Sequence, residues 1–490
     1  MKMVPSRRML IAGAMTEYPD LPRMDVTNPN TGLPFAEIAL ADAATVDVAL
    51  SAAVEAQAAW ACMTPKARSL ALHAIVTKIE RADLAPLLHL AAQELGKPGP
   101  EATGEIEQSL PAMRYFAELV RHDQGQVAGE TYTENLHYSR YDPMGVTLHM
   151  TPFNYPILLL CWTVAASLMA GNAVVIKPSE RASLISLAFL DFFSELPPGL
   201  VSCVTGGVDT AQALIADPRI AKVAFTGSAQ SAHAVYQSAA NHMKPVLLEG
   251  GGSDALIVSD KCDLDIAAAG AANGAFTYSG QVCTSIERIF VVRDVYEVFL
   301  DRLAHHTRAL RVGPAEGAVD LGPLISKEAL TRIETLVADA CARGARLICG
   351  GSRPEICPEG WFYLPTVLAD DAAQAPMVDD EIFGPVAIVT PVADVHDAIA
   401  RANASHYGLG GSIFTEDLEE AIAASRHLKV GMVWVNNPLI DNDALPFGGV
   451  KASGMGRELG RHGLDEFRNP KMVVIEPRAK RQSWWIPYPD

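Results

Sequence analysis

From residue 146 onward the chain alternates short β-branched runs with helical stretches, and this alternation restricts the fold more than any other feature of its 490 residues. The runs 146–150, 173–177, 200–204 and 221–225 are each followed by a helical segment, and a second series begins near 255–258 and passes through 289–292, 386–389 and 431–435. Such runs spaced by helices spell βαβ units and parallel sheets. The expected class is α/β, with two α/β units in tandem. Upstream, Val46, Leu50, Val54 and Trp60 predict an amphipathic helix over 44–60, and Leu70, Ala74, Ile75 and Ile79 continue the pattern. A third helix is expected over 101–120. The apolar run 156–171 falls short of the roughly 20 residues a membrane helix needs and reads as a buried core helix.

Composition narrows the function. Lys+Arg 39 against Asp+Glu 57 gives a net charge of −18 with no basic stripe, so a nucleic-acid backbone would be repelled. The eight cysteines contain no C-x-x-C pair, which fits a reduced compartment and argues against a metal site or a disulfide framework. Basic Lys2, Arg7 and Arg8 precede an apolar stretch, 9–15, that is too short for a signal peptide. A cytoplasmic protein acting on a small molecule, with no membrane partner, is expected.

In parallel sheets ligands gather outside the strand C-termini, so the turns there carry the chemistry. They read Thr151-Pro152-Phe153-Asn154-Tyr155-Pro156, Lys177-Pro178-Ser179-Glu180, Phe225-Thr226-Gly227-Ser228 and Glu249-Gly250-Gly251-Gly252. No G-x-G-x-x-G fingerprint is present. Cys283, in the turn Gly280-Gln281-Val282-Cys283-Thr284, would alone read as a small buried hydrophobe. Glu249 alone would read as a solvated loop acid, although three following glycines let backbone approach a ligand there.

Together with Glu381-Ile382-Phe383-Gly384-Pro385 and Pro446-Phe447-Gly448-Gly449, these motifs in this order closely resemble the NAD(P)-dependent aldehyde dehydrogenase superfamily, over nearly the whole chain. The resemblance implies two tandem Rossmann-like parallel-sheet domains plus a small β bridging element for oligomerisation. Residues 1–121 and 143–252, with 453–467, would bind the dinucleotide; 253–452 would be catalytic; 122–142 and 468–490 would bridge subunits of a homodimer or homotetramer. Within the bridging element, strands are expected at 131–133, 136–141 and 471–476, with the aromatic tail from Trp484 to Tyr488 packed onto protein.

The resemblance also implies the reaction: an aldehyde oxidised to its acid through a covalent thioester. Cys283 would be the nucleophile, Asn154 and the Cys283 backbone N–H the oxyanion donors, and Glu249 the base that activates the hydrolytic water. Thr151, Pro152, Phe153, Lys177, Ser179, Glu180, Phe225, Gly227, Ser228, Gly250, Glu381 and Phe383 would surround the cofactor. A carboxylate at the ribose favours NAD, with NADP left open. Tyr155, Leu159, Trp162, Val282, Thr284 and Phe447, with the loop 438–445, would line the substrate funnel, and Glu105 and Gln108 fall where aminoaldehyde-oxidising members carry acids. An amino- or hydroxy-substituted small aldehyde is expected, with a general aliphatic or aromatic aldehyde as the alternative. The sequence departs from the family's habit at Gly250, Ala211 and Ala232, and at Asn469, which stands where an auxiliary carboxylate base is expected. A CoA-acylating enzyme and a catalytically silent protein on the same fold are the competing readings; the presence of Glu249 opposes the first, and that of Cys283, Glu249 and Asn154 together the second.

Overall fold

The computed structural model describes residues 7–122, 125–129, 131, 135–372 and 380–487. Two large sheets organise the chain. The first has eight strands. Its centre is parallel, in the order Val246–Glu249, Ile220–Thr226, Val146–Thr151, Ala173–Pro178 and Val201–Cys203. Antiparallel strands close its edges: Gly454–Met455 on one side, Arg8–Ile11 and Ala14–Glu17 on the other. The second sheet has seven strands, and all but the antiparallel edge strand Arg346–Cys349 run parallel.

Both faces of the second sheet are covered, as parallel sheets require. Along Ile286–Val292 the side chains alternate. Ile289 and Val291 pack with Phe276, Phe299 and Leu300, whereas Phe290 and Val292 pack with Val395, Ala398 and Ile399 on the other face. In the first unit the helix Pro156–Ala170 is buried along its entire length. A helix apolar all round belongs in a core, and this one packs beneath Gly99–His122. Its buried N-terminus points at the site described below.

A third sheet pairs Arg468–Ile475 with Leu136–Pro143, which in turn pairs with Val127–Ala128. On the isolated chain its apolar residues Met472, Val474, Ile475 and Leu136 are exposed, as are Trp484, Trp485 and Ile486 of the tail.

Several sequence expectations need correction. The chain opens on strands, not helices: Arg8–Ile11, Ala14–Glu17 and the hairpin Arg23–Asn28 with Leu33–Ala39 precede the first helix, Ala43–Ala61. The hairpin is mostly exposed and so carries no clean apolar alternation. Val54 and Leu70, expected on buried faces, are exposed. A helix not foreseen, Ala85–Leu95, precedes the one expected over 101–120, which extends to Gly99–His122 and tolerates Pro111. The partner of Leu136–Pro143 is Val127–Ala128; Thr131 lies in a bend, and Tyr132 and Thr133, like Lys2 and Tyr488, lie outside the described residues. Strands Thr366–Ala369 and Gly410–Phe414 were also not foreseen, the second because two leading glycines hide it.

Candidate active site

A cleft of about 900 Å³ opens where the C-terminal ends of the first sheet's strands meet the second unit. Its walls bring together Pro152, Phe153, Asn154, Ser179, Glu180, Phe225, Gly227, Ser228, Glu249, Cys283, Glu381 and Phe383, which lie far apart in sequence. Thr151, Lys177 and Gly250 stand behind this wall, and Tyr155, Leu159, Trp162, Val282, Thr284 and Phe447 lie outside it.

Cys283 follows a left-handed turn. Tyr278, Ser279 and Gly280 have φ of 48°, 54° and 71°, a region that L side chains avoid. A Cβ on Gly280 would stand 2.1 Å from the Gly384 carbonyl oxygen. Such strain persists where its surroundings over-determine it. Here the Tyr278 N–H donates to Glu101 Oε1 at 2.6 Å, the Tyr278 hydroxyl to the Leu95 carbonyl at 2.8 Å, and the Ser279 hydroxyl to the Gly322 carbonyl at 2.7 Å. Gln281 Oε1 accepts from the Ile325 N–H at 2.9 Å.

Glu249 ends its strand opposite Thr226 of the parallel neighbour. The side chain is buried, and neither carboxyl oxygen has a hydrogen-bond partner. Burial lifts the carboxyl to about 7, opposed by the nearby Cys283 thiol. Cys283 in turn lies well above its ordinary range, first through burial and then through the Glu249 charge. In the chain alone every leading influence on Cys283 raises its thiol.

Behind Glu249 stands a second carboxyl, Glu458, buried and raised by burial and then by the Glu249 charge. Its Oε1 accepts from the Thr226 hydroxyl at 3.5 Å. This corrects the auxiliary-base expectation. Asn469 is exposed in the third sheet, opposite Asp142, and Glu458 is the carboxyl that faces Glu249. At Gly250 a Cβ would stand 2.8 Å from the Ala452 carbonyl oxygen, so the glycine is required there by that close approach; Ala232 packs beside it at ordinary contact distance. Ala211 lies half-buried on the helix Val208–Ala216.

Asn154 is buried, and its Nδ2 donates to the Gln281 carbonyl at 3.0 Å, two residues before Cys283. Its backbone carbonyl accepts from Lys97 Nζ. Lys97 is fully buried, paired with Glu105 and set over the rings of Tyr155 at 4.0 Å and Tyr278 at 4.5 Å. The other Glu105 oxygen accepts from the Ile157 and Leu158 N–H groups at 2.7 and 3.2 Å, capping the helix Pro156–Ala170. Glu105 is therefore a buried brace and not a funnel acid, and Gln108 is exposed on the outer helix face. Lys97 was not found from sequence; a lysine between Gly96 and Pro98 reads as an ordinary surface turn.

Across the cleft, Ser228 caps the helix Ala229–Ala240 by accepting from the Ser231 N–H at 3.2 Å, leaving other first-turn N–H groups for an anion. Lys177 Nζ donates to Glu180 Oε1 at 2.9 Å. Glu381 Oε1 accepts from the Gly252 N–H at 3.1 Å, and burial lifts this carboxyl to about 8. Phe383 stands edge-on to Phe153, with ring centres 5.9 Å apart. Two residues unforeseen from sequence fix this turn. Glu287 Oε1 accepts from the Ile382 and Phe383 N–H groups at 2.8 Å each, and Arg332 Nη1 donates to the Glu381 carbonyl at 3.2 Å.

On the funnel side, Trp162 packs against Phe447 with ring centres 4.9 Å apart. Leu159 and Thr284 are buried and Val282 is half-buried beside Cys283.

A two-sheet α/β chain with a cysteine, an unpartnered carboxyl and an asparagine amide on one dinucleotide-sized cleft has the make-up of an aldehyde-oxidising dehydrogenase. Residues 17–473 match the Aldehyde dehydrogenase family, and the chain belongs to it. Among curated relatives, "Aminoaldehyde dehydrogenase 2, peroxisomal" of Malus domestica is 35% identical, the match covering 98% of both chains. "Betaine aldehyde dehydrogenase" of Cereibacter sphaeroides is 37% identical over 92% of this chain and 93% of the relative. The crystal structure of a betaine aldehyde dehydrogenase from Staphylococcus aureus in complex with NAD+ superposes with a TM-score of 0.94 at 29% identity, covering 98% of this chain and 97% of that one. Among the described residues no helix is long and apolar enough to cross a membrane.

Proposed function

We propose that this chain oxidises an aldehyde to its carboxylic acid with NAD, through a covalent acyl intermediate on Cys283 that water hydrolyses. The observation that carries the reading is that the Cys283 thiol, the raised Glu249 carboxyl with no hydrogen-bond partner and Asn154 share one cleft wall. Cys283 Sγ attacks the carbonyl carbon as its proton is released to solvent, which leaves the Glu249 carboxylate free for the hydrolytic step. The resulting oxyanion is met by Asn154 Nδ2, whose other N–H is held by the Gln281 carbonyl. When bound, NAD+ supplies the hydride acceptor. Glu249 then takes a proton from water, the hydroxide adds to the thioester, and the C–S bond breaks to release acid and thiol. Glu458, reached through Thr226, offers the next resting place for that proton.

The cleft fits the dinucleotide. The helix N-terminus at Ser228 would meet the pyrophosphate, Lys177 and Glu180 the adenosine ribose, and Glu381 with Phe383 the nicotinamide half. The Glu180 carboxylate opposes a ribose 2′-phosphate, which supports NAD over NADP. In this reading 1–121, 143–252 and 453–467 bind the dinucleotide, 253–452 carry the catalysis, and 122–142 with 468–490 join subunits into a homodimer or homotetramer. The exposed apolar strand around Met472 supports the last point. Eight free cysteines support a reduced compartment such as the cytoplasm. The relatives' names and the carboxyl-rich surroundings of Cys283 support an amino-substituted aldehyde as substrate.

The test is NADH formation from an aldehyde panel with and without CoA, with the product identified. Free acid formed at a CoA-independent rate is expected. A CoA thioester as product, or turnover that requires CoA, would overturn the hydrolytic step.

A further inference from the structure

The strand Ile286–Val292, which leaves the Cys283 turn, is irregular at its start. Ile286 pairs with Asp254 and Arg288 with Ala255, so the register shifts there and Glu287 is the extra residue of a β-bulge. Against the neighbour on the other side, the ladder begins only at Arg288, opposite Ile388. Bulges beside functional sites re-aim a side chain, and the one at this bulge is a buried carboxyl.

Glu287 reaches the turn that carries Phe383. Its Oε1 accepts from the Ile382 and Phe383 N–H groups at 2.8 Å each. Phe383 has a φ of 46°, a conformation that an aromatic L residue seldom adopts unless its surroundings impose it. Here they do so from both sides. Glu287 takes the N–H groups, and Arg332, on the helix Lys327–Ala342, donates to the Glu381 carbonyl at 3.2 Å and the Phe383 carbonyl at 3.3 Å. With its backbone so held, the Phe383 ring stands on the cleft wall, edge-on to Phe153.

The same turn rests against the nucleophile's own, because a Cβ on Gly280 would collide with the Gly384 carbonyl oxygen. The Phe383 turn is thus tied to the chain on both sides of Cys283, by backbone packing at Gly280 before it and by the Glu287 carboxyl after it. Such a tie fixes the distance between the carbon held on Cys283 and a ring received at Phe383, and reaction rates depend steeply on distances of this kind.

We propose that Glu287 is a positioning residue for hydride transfer, holding the Phe383 turn in its left-handed form so that the nicotinamide half of the cofactor meets the carbon bound to Cys283. In that step the C–H bond of this carbon breaks, both electrons leave with the hydrogen, the oxyanion recloses to the thioester carbonyl and NAD+ becomes NADH. This rests on the aldehyde-oxidising reading above and assigns a role to a residue that does not line the cleft.

The experiment uses two variants of the full-length protein. Glu287→Met fills the same space and accepts nothing, whereas Glu287→Gln keeps an amide oxygen for both N–H groups. The first measurement needs no cofactor: hydrogen exchange read by mass spectrometry in peptides spanning 381–385. The Ile382 and Phe383 amides are expected to exchange about tenfold faster or more in Glu287→Met, and near the wild-type rate in Glu287→Gln. The second is the fast phase of NADH formation at saturating NAD, with an aldehyde and its 1-deuterated form. In Glu287→Met this rate is expected to fall about tenfold or more and to carry a primary isotope effect, while alkylation of Cys283 in the cofactor-free protein stays within about twofold of wild type. Glu287→Gln is expected to recover most of the rate. Unchanged exchange or an unchanged fast phase in Glu287→Met would overturn the proposal, as would loss of alkylation in step with the fast phase. If Glu287→Met does not fold, Arg332→Met loosens the same turn from its carbonyl side; faster exchange with a slower fast phase is again expected, and wild-type values for both would overturn the link between turn and rate. No NADH from wild type with any aldehyde would overturn the dehydrogenase reading itself and the role in hydride transfer with it, while the exchange result would still show whether Glu287 holds the turn.

Discussion

Replacing Lys97 by Met tests the brace beneath the oxyanion donor. Lys97 and Glu105 are both essentially excluded from water, so no solvent screening weakens their pairing. Removing the ammonium strands the Glu105 charge, and breaking a buried pair from one side costs about 3–5 kcal/mol. Glu105 would still accept two N–H groups at the start of the helix Pro156–Ala170, which places the expectation near ~3 kcal/mol. The same change releases the Asn154 carbonyl and frees the rings of Tyr155 and Tyr278. Small displacements of a positioned group carry large rate penalties, and loss of one oxyanion donor costs roughly a hundredfold to a thousandfold in kcat. A partial shift of Asn154 should therefore lower kcat by about tenfold or more. Urea unfolding at one fixed protein concentration, alongside steady-state NADH formation, reads both effects. Lys97→Met with Glu105→Gln should recover much of the lost stability, since the stranded charge is gone. An unchanged urea midpoint together with an unchanged kcat in Lys97→Met would refute the brace.

Glu249 must be ionised to act as a base, so its elevation to about 7 predicts a rate that rises with pH through about 7 and then levels; a limb confined to the ordinary carboxylate range would contradict it. Because this pKa is raised on folding, its contribution to stability is complete below the ordinary carboxylate range and is lost as pH rises through about 7, so Glu249→Gln should gain stability over wild type above that pH. Gly280→Ala places a methyl group 2.1 Å from the Gly384 carbonyl at a φ of 71°, and should lower thermal stability markedly and alter the rate of Cys283 alkylation; wild-type values for both would show that the turn relaxes freely. Truncation before Lys471 removes most of the strand paired with Leu136–Pro143, and light scattering should show smaller assemblies than the full chain forms.

What the sequence revealed was local chemistry. The strand-end turns carrying Asn154 and Glu249 were readable because parallel strands put their C-terminal ends on one side, so residues there converge on one crevice; Cys283, in the turn between the helix Leu264–Phe276 and the strand Ile286–Val292, was read from the family resemblance. What it hid was long-range pairing. Nothing near Lys97 signals that it reaches Asn154, and Glu105 reads as a surface acid until the helix it caps is placed against it. The substitution of Glu458 for Asn469 beside Glu249 has the same origin. Gly454–Met455 adds to the first sheet beside the Glu249 strand and carries the following residues back to it, a connection with no periodic signature. The N-terminal strands escaped notice because an exposed hairpin buries little apolar area, and burial is what writes a pattern into sequence.

The central claim is that Cys283 carries the acyl group and Glu249 activates the water that removes it. The most direct measurement is the pre-steady-state time course of NADH formation by Glu249→Gln, with the intact protein's mass recorded at the end of the fast phase. Predicted are a burst approaching one NADH per active site, a mass increase equal to the acyl group located on Cys283, and a steady rate slower than wild type by about a hundredfold or more. A variant that loses the burst together with turnover, or one that forms NADH with no adduct on Cys283, would contradict the division of labour between the two residues.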